Sequence, residues 1–229
     1  MLKGYEFVIL DGVWLTLQLA VSSMALAVVF GLIGVILCLS PVRWLAWLGA
    51  LYSTVIRGIP DLVLILLIFY GGQDLLNLVA PMLGYHAFID LNPLAAGIGT
   101  LGFIFGAYLT ETFRGAYIAI PKGQVEAGIA YGMSSFQVFF LVMVPQMIRL
   151  AIPGFTNNWL VLTKATALIS VVGLQDMMFK AKQAADATRE PFTFFLAVAV
   201  MYLLITSASL LVFRYLEKRY SIGVSAADL

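Results

Sequence analysis

Long apolar runs broken by short polar stretches set the pattern of this chain. About 20 mostly apolar residues cross the hydrocarbon of a bilayer, and the runs divide accordingly. Val13 to about Leu39 predicts span one, closed by Ser40-Pro41. Span two starts near Arg57-Gly58-Ile59-Pro60 and runs to about Tyr70, preceded by a helical turn or two from Trp44. A loop from Gly71 to Pro93 carries Gly71-Gly72, Asp74, Pro81, His86 and Asp90. Leu94 to Ile118 is span three, Phe155 to Leu174 span four and Phe192 to Phe213 span five. A charged segment, Asp176 to Glu190, separates the last two, and a polar tail follows from Arg214 to Leu229.

Between spans three and four lies Gln124 to Pro145, a polar-headed segment among apolar runs. Its continuation, Phe136 to Leu150, is interrupted by Gln137, Pro145 and Gln146 and closed by Arg149, so it reads as an interfacial helix rather than a crossing. Five spans then put the two chain ends on opposite sides. With the C-terminus in the cytoplasm, Arg43, Arg57, Arg114, Lys122, Arg149, Arg214, Lys218 and Arg219 lie inside, against Lys3, Lys180, Lys182 and Arg189 outside. Positive charge favours the inside, and eight against four selects N-outside, C-inside. A six-span arrangement gives a weaker seven against five. Ala25-Leu26-Ala27 imitates a cleavage site, but it sits within an uncharged run of 30 residues, Val13 to Val42, too long for a signal peptide's apolar core.

Composition agrees. Of 229 residues, 62% are hydrophobic and 11% charged, against roughly 25% charged in globular proteins. Thirteen basic and 12 acidic side chains leave a net charge of +1, so no basic field recruits nucleic acid. The sequence contains no phosphate-cradling G-x-x-x-x-G-K-[ST], no H-E-x-x-H, no C-x-x-C and no G-x-S-x-G. Cys38 and His86, one of each type, are far apart. Gly97-Ile98-Gly99-Thr100-Leu101-Gly102 satisfies the spacing of a dinucleotide-binding loop, but it lies inside a span. Gly99, Gly102 and Gly106, with Ala95 and Ala96, instead predict a small-residue face on which another helix packs closely. No enzyme activity and no resident cofactor or metal are expected.

Function then falls to polar residues at membrane depth, which line a pathway or pair with each other. Glu111 and Arg114, three apart, are able to neutralise each other. Asn157 and Lys164, seven apart, share one face of span four. Arg57 lies near a membrane edge, where it can snorkel, and Asp61 follows Pro60 at the start of span two.

Glu126-Ala127-Gly128, then Gly132, then Val142, Val144 and Pro145 resemble the E-A-A, G, I-x-L-P signature of membrane subunits of bacterial ABC importers. Arg57-Gly58-Ile59-Pro60, Glu111-Thr112-Phe113-Arg114-Gly115, Ile120-Pro121-Lys122-Gly123-Gln124, Asn157-Asn158, Lys164-Ala165-Thr166-Ala167-Leu168 and Glu217-Lys218-Arg219-Tyr220-Ser221-Ile222-Gly223-Val224 are similar to the polar amino-acid permeases. The histidine and lysine/arginine/ornithine importer type fits best, with opine importers among its relatives. The resemblance covers practically the whole chain. It implies an all-α type I permease fold of one domain, residues 1–229, in the bacterial inner membrane. It further implies a cytoplasmic coupling segment, 124–145, between spans three and four.

The resemblance also implies a second permease subunit, related or a copy, and two cytoplasmic ATPase subunits that carry the ATP and Mg. A periplasmic substrate-binding protein delivers the amino acid. Gln124, Glu126, Ala127, Gly128, Gly132 and Pro145 would couple to the ATPase, with Gly132 ending the coupling helix. Asp61, where many relatives carry an apolar residue, suits a cationic cargo. Arg57, Asp61, Glu111, Asn157 and Lys164 would line the pathway of arginine, ornithine, lysine or histidine. The alternative reading is a self-contained transporter or channel driven by an ion gradient, against which stands the lack of paired broken spans in matching halves.

Overall fold

A computed structural model describes residues 4–220. Lys3 and the Ser221–Val224 end of the C-terminal match lie outside the described residues. Within them the chain is helical: α1 Glu6–Cys38, α2 Arg43–Gly58, α3 Asp61–Val79, α4 Pro93–Ile118, α5 Lys122–Ala130, α6 Ser135–Gln137, α7 Val144–Ile169, α8 Met177–Thr188 and α9 Pro191–Tyr220. Five stretches are long and apolar enough to cross a membrane: Glu6–Cys38, Asp61–Leu83, Pro93–Ile118, Ser135–Val172 and Pro191–Arg219.

The bundle is built on α4, which packs along α1 and, on another side, against α7. Small residues make this possible. A Cβ placed on Gly106 would lie 2.4 Å from Phe30 Cβ, and one on Gly34 2.0 Å from Thr110 Oγ1. Gly102 meets Leu26 in the same way, whereas Gly99 faces open space and Gly97, against Ile169, takes its place in the packing face. Leu19, Met24, Leu101, Phe105, Leu109, Leu162 and Ile169 fill the seam, joined by Ile56 of α2 and Ile65 of α3. By contrast α9 turns almost entirely outward, as a lipid-facing helix must when it is apolar all round.

Several boundaries depart from the expected ones. Instead of a turn or two, α2 is a helix of 16 residues, whose exposed Trp44 and Trp47 suit a membrane interface. It stops because Pro60 forces Ile59 into an extended conformation, φ −110° and ψ 139°. Past Gly71-Gly72, α3 continues to Val79, then through a 3-10 turn to Leu83. Gln73 and Asn77, one turn apart on that extension, bind the backbone of Ile89 and Leu91 and tether the returning loop. Phe136 to Leu150 is not a separate interfacial helix. It runs without a break into span four as Ser135–Val172, 38 residues, roughly 57 Å at 1.5 Å per residue. That exceeds a hydrocarbon core of about 30 Å, so five crossings stand and the first turns project beyond the membrane. At the other extreme, α9 carries through Arg214, Lys218 and Arg219, so the polar tail begins as a continuation of the last helix.

The charged segment before span five folds into α8. Met177, Ala181, Ala184 and Ala185 bury one face against Ile9 of α1 and Phe194 and Val198 of α9, and Lys180 pairs with Asp11. Asp176 caps this helix: Oδ1 accepts from Phe179 N at 2.9 Å, and Met177 N donates to Thr16 Oγ1 at 3.2 Å. Asp176 is fully buried, and its Oδ2 has no hydrogen-bond partner among the described residues. Burial pushes this carboxyl up from 3.8 to about 6, against the opposing pull of the Phe179 and Met178 amides.

A raised folded value means that folding favours the neutral carboxyl. Its stabilisation is complete below about pH 4 and fades as pH rises through 6. Asp176→Asn, which keeps the cap acceptor, is expected to be more stable than the parent at pH 8 by on the order of 2 kcal/mol. It should also flatten the pH dependence of thermal unfolding between pH 4 and 7, followed by tryptophan fluorescence in detergent. An unchanged pH profile would assign that dependence to another group.

Candidate functional site

At one end of the bundle the chain leaves α4, turns at Pro121 and forms α5, which stands out from the membrane helices. Gln124, Glu126, Ala127 and Ile129 are exposed, as is Tyr131 (89%) just beyond. Only Gly128 of α5 is buried, where a Cβ would come within 2.9 Å of Val138 Cγ2. Gly128 therefore seats the helix against its support, and the exposed positions form its free face. Gly132 ends the helix at φ +81°, with Gly132 N donating to Ile129 O and Met133 N to Gly128 O, the paired bonds of a Schellman turn.

The support is the start of the long fourth span. Ser134 and Gln137 close a capping box, and Val138–Met143 adopt a π-helical turn that joins α6 to α7. Pro145 lies in the first turn of α7, not on α5, and Gln146 Nε2 donates to Val142 O at 2.9 Å. Ile120, Val138 and Met143 form the small core beneath the corner. A cleft of about 440 Å³, lined by Tyr117, Lys122, Val125 and Glu126 among others, opens beside it.

A second polar feature runs along the α2–α4 contact. Tyr108, Glu111 and Arg114 follow at intervals of three on α4, opposite Ser53 and Arg57, four apart on α2. Ser53 Oγ donates to Glu111 Oε1 at 2.8 Å, while Arg114 donates through Nε (3.1 Å) and Nη2 (2.7 Å) to Glu111 Oε2. One level along, the Arg57 guanidinium sits 5.7 Å from the centroid of the Tyr108 ring. Tyr52 locks the two helices by donating to Phe103 O at 2.6 Å.

The third feature is on α7. Asn157 and Lys164 are both exposed on one face, and Lys164 borders a groove of about 420 Å³ with Tyr202 and Thr206. The neighbouring Asn158 turns inward instead, its Nδ2 donating to Thr112 Oγ1 at 2.9 Å. Of the residues expected to line a pathway, Arg57, Asp61 and Glu111 are gathered at the α2–α3 break, and Asn157 and Lys164 form a separate stripe. Ser53, Tyr108 and Thr112 escaped the sequence reading. Their signal, the four-residue step from Ser53 to Arg57 against the three-residue step from Tyr108 to Glu111, emerges only once α2 is a full helix.

Comparison with known proteins places this geometry. A family model described as "Binding-protein-dependent transport system inner membrane component" matches residues 16–222. The Histidine/lysine/arginine/ornithine transport system permease protein HisQ of Escherichia coli strain K12 is 51% identical over 229 residues, 100% of both chains. The Octopine transport system permease protein OccQ of Rhizobium radiobacter is 38% identical over 96% of this chain and 93% of that one. Among solved structures, "an amino acid ABC transporter with histidines" superposes with a TM-score of 0.81 at 26% identity, covering 94% of this chain and 95% of the other.

The closed lower level of the polar ladder predicts a stability effect. Glu111→Gln leaves Arg114 without its anion and should cost about 1–2 kcal/mol, discounted for the partial exposure of the pair. Ser53→Ala, removing one hydrogen bond to the same carboxylate, should cost less, about 1 kcal/mol. Unfolding in detergent measures both, and equal melting of all three proteins would contradict the pairing.

Proposed function

The chain belongs to the inner-membrane permease family of binding-protein-dependent ABC importers, and on that premise we propose that its cargo is a basic amino acid moved from periplasm to cytoplasm. The cargo class rests on the histidine, lysine, arginine and ornithine named for the relative of 51% identity. It rests also on Asp61, an acidic side chain at the start of α3 that forms no ion pair among the described residues.

In this reading the N-terminus is outside and the C-terminus cytoplasmic, which puts α5 in the cytoplasm. The observation that carries the mechanism is α5 itself: a nine-residue helix with a single buried residue, held at arm's length from the bundle by a capped corner. Such a helix has a free face for a partner and a rigid root. Gln124, Glu126 and Ala127 offer the face, Gly128 and Gly132 set its seat and its end, and Pro145 marks where the supporting helix enters the membrane domain. The chain is not itself catalytic; ATP and Mg are held by two ATPase subunits, whose closure moves α5 as a lever. A second permease chain completes the pathway, and a binding protein loads it. Movement of α5 tilts the spans between two openings by hinge or shear displacement.

The pathway residues fall into complementary roles. Asp61, half-buried at the start of α3, faces the cationic side chain of the cargo, and Arg57, exposed beside it, meets the carboxylate. Asn157 and Lys164 extend the polar surface along α7.

Two measurements test this. Glu126→Lys and Gly132→Pro should each lower binding-protein-stimulated ATP hydrolysis and uptake about tenfold, the loss expected when one well-placed docking contact goes. The assembly should still purify intact, and full activity of both variants would remove α5 from the coupling role. Asp61→Leu should lower arginine uptake into proteoliposomes by a similar factor. Unchanged affinity and rate would remove Asp61 from the pathway.

A further inference from the structure

At the end of the bundle that bears α5, α1 and α7 diverge over α4 and leave a groove. Its deeper half, about 350 Å³, has Leu32 of α1 on one side, Met147 and Ala151 of α7 on the other and Ala116 of α4 as floor, and every residue lining it is apolar. A second half of about 480 Å³ shares Leu32 and Met147 with the first and opens at Pro41 and Tyr117. The groove therefore runs along the helices, from the α1–α2 turn inward. On α7 the deeper half extends from Val144 to Ala151, roughly 10 Å at 1.5 Å per residue, against about 15 Å of hydrocarbon in one leaflet. Spread over that length, 350 Å³ leaves a section of about 35 Å². One alkyl chain fits at van der Waals contact, whereas a helix of about 10–12 Å diameter needs more than twice the section. Leu32 and Ile36 on the rim are exposed, so the groove opens sideways toward lipid.

The mouth is charged. Two residues past Pro41, Arg43 opens α2, and Tyr117 also borders the cleft that holds Lys122. Both cations are exposed and neither forms an ion pair among the described residues, although Glu126 lines the same cleft as Lys122. Trp44, beside Arg43, is exposed as an interfacial indole is. Resting on the reading that puts α5 in the cytoplasm, we propose that this groove binds one anionic phospholipid of the cytoplasmic leaflet, with an acyl chain in the apolar half and the phosphate facing Arg43 and Lys122. The chain supplies the contacts that the diverging helices do not make with each other, and unpaired basic side chains at a membrane surface attract an anionic headgroup. Phe139, in the π-helical turn that supports α5, lines both halves. A bound chain thus packs at once against the root of α5 and against the first span.

The experiment places the complete importer in nanodiscs containing phosphatidylglycerol or phosphatidylcholine with a diazirine in the acyl chain, and maps the labelled peptides by mass spectrometry. Phosphatidylglycerol should label residues 32–41 and 139–151 in preference to the lipid-facing α9. Arg43→Gln and Lys122→Gln should each lower that labelling about fivefold, the weight of one basic side chain at an anionic surface, and leave labelling by phosphatidylcholine unchanged. Ala116→Phe, which fills the floor with a ring, should lower labelling of both segments by either lipid while α9 is labelled as before. If that variant fails to assemble, the two charge variants decide alone. Labelling of the groove no stronger than that of α9, or insensitive to both charge variants, would make the groove ordinary lipid-facing surface and overturn the proposal. No labelling of either segment would mean that another subunit covers the groove, with the same result. The readout requires no transport, so a failed lipid site leaves the coupling role of α5 standing. Full activity of Glu126→Lys would conversely remove the coupling role and leave the lipid site intact.

Discussion

Everything in this bundle depends on how closely α1 can approach α4. In a bilayer no hydrophobic drive brings two helices together, so contact has to come from shape. Here the shape is supplied by Gly31 and Gly34 on one helix and Gly102 and Gly106 on the other, at distances where one added carbon has no room. The approach fixes the rotation of α4, and with it the direction of Tyr108, Glu111 and Arg114. It also brings α2 within reach, since Gly106 lies beside the Tyr52 hydroxyl and Gly49 beside Cys38. A polar ladder between α2 and α4 is therefore a by-product of a glycine seam between α1 and α4.

Hydropathy made the crossings legible because a bilayer imposes length and apolarity directly on the sequence. The span from Leu94 to Ile118 matched α4 to within one residue for that reason. What stayed hidden was structure that tertiary contacts impose against local signals. Gly71-Gly72 is a breaker pair, but Gln73 and Asn77 gain backbone partners at Ile89 and Leu91 only if the helix continues past it. Gln137, Pro145 and Gln146 looked like interruptions. One caps a helix, one follows a π turn that has no need of its amide, and one covers a carbonyl. Nor did the alanines of α8 announce a buried face, since alanine at helical spacing between charges reads equally well as surface.

The candidate site divides along the same line. The short helix proposed for coupling was readable from one stretch of sequence, because an exposed short helix is a local object and Gly132 terminates it by local geometry. The direction of Gly128 was not readable, because it depends on Val138 across the corner. The polar residues proposed for the pathway were readable as types, charges where charge is costly, but not as a constellation. Glu111 and Arg114, three apart on one helix, were visible as a pair; Ser53 and Tyr108 join only through contacts between elements distant in the chain.

One more consequence follows from α8. This 12-residue helix is packed at once on α1 and α9, through Ile9 and Phe194, with the Asp11–Lys180 pair as an added stitch. The first and last spans are thus riveted together at the far end of α7 from α5, and the close seat of Gly12 on Met177 leaves little slack there. At the opposite end α5 rests on a small three-residue core. Contacts between the spans are thus distributed unevenly, with α1 and α9 joined through α8 at one end and α5 seated on its own supporting helix at the other. On the coupling role proposed for α5, the α8 rivet is the fulcrum against which the first and last spans would turn together.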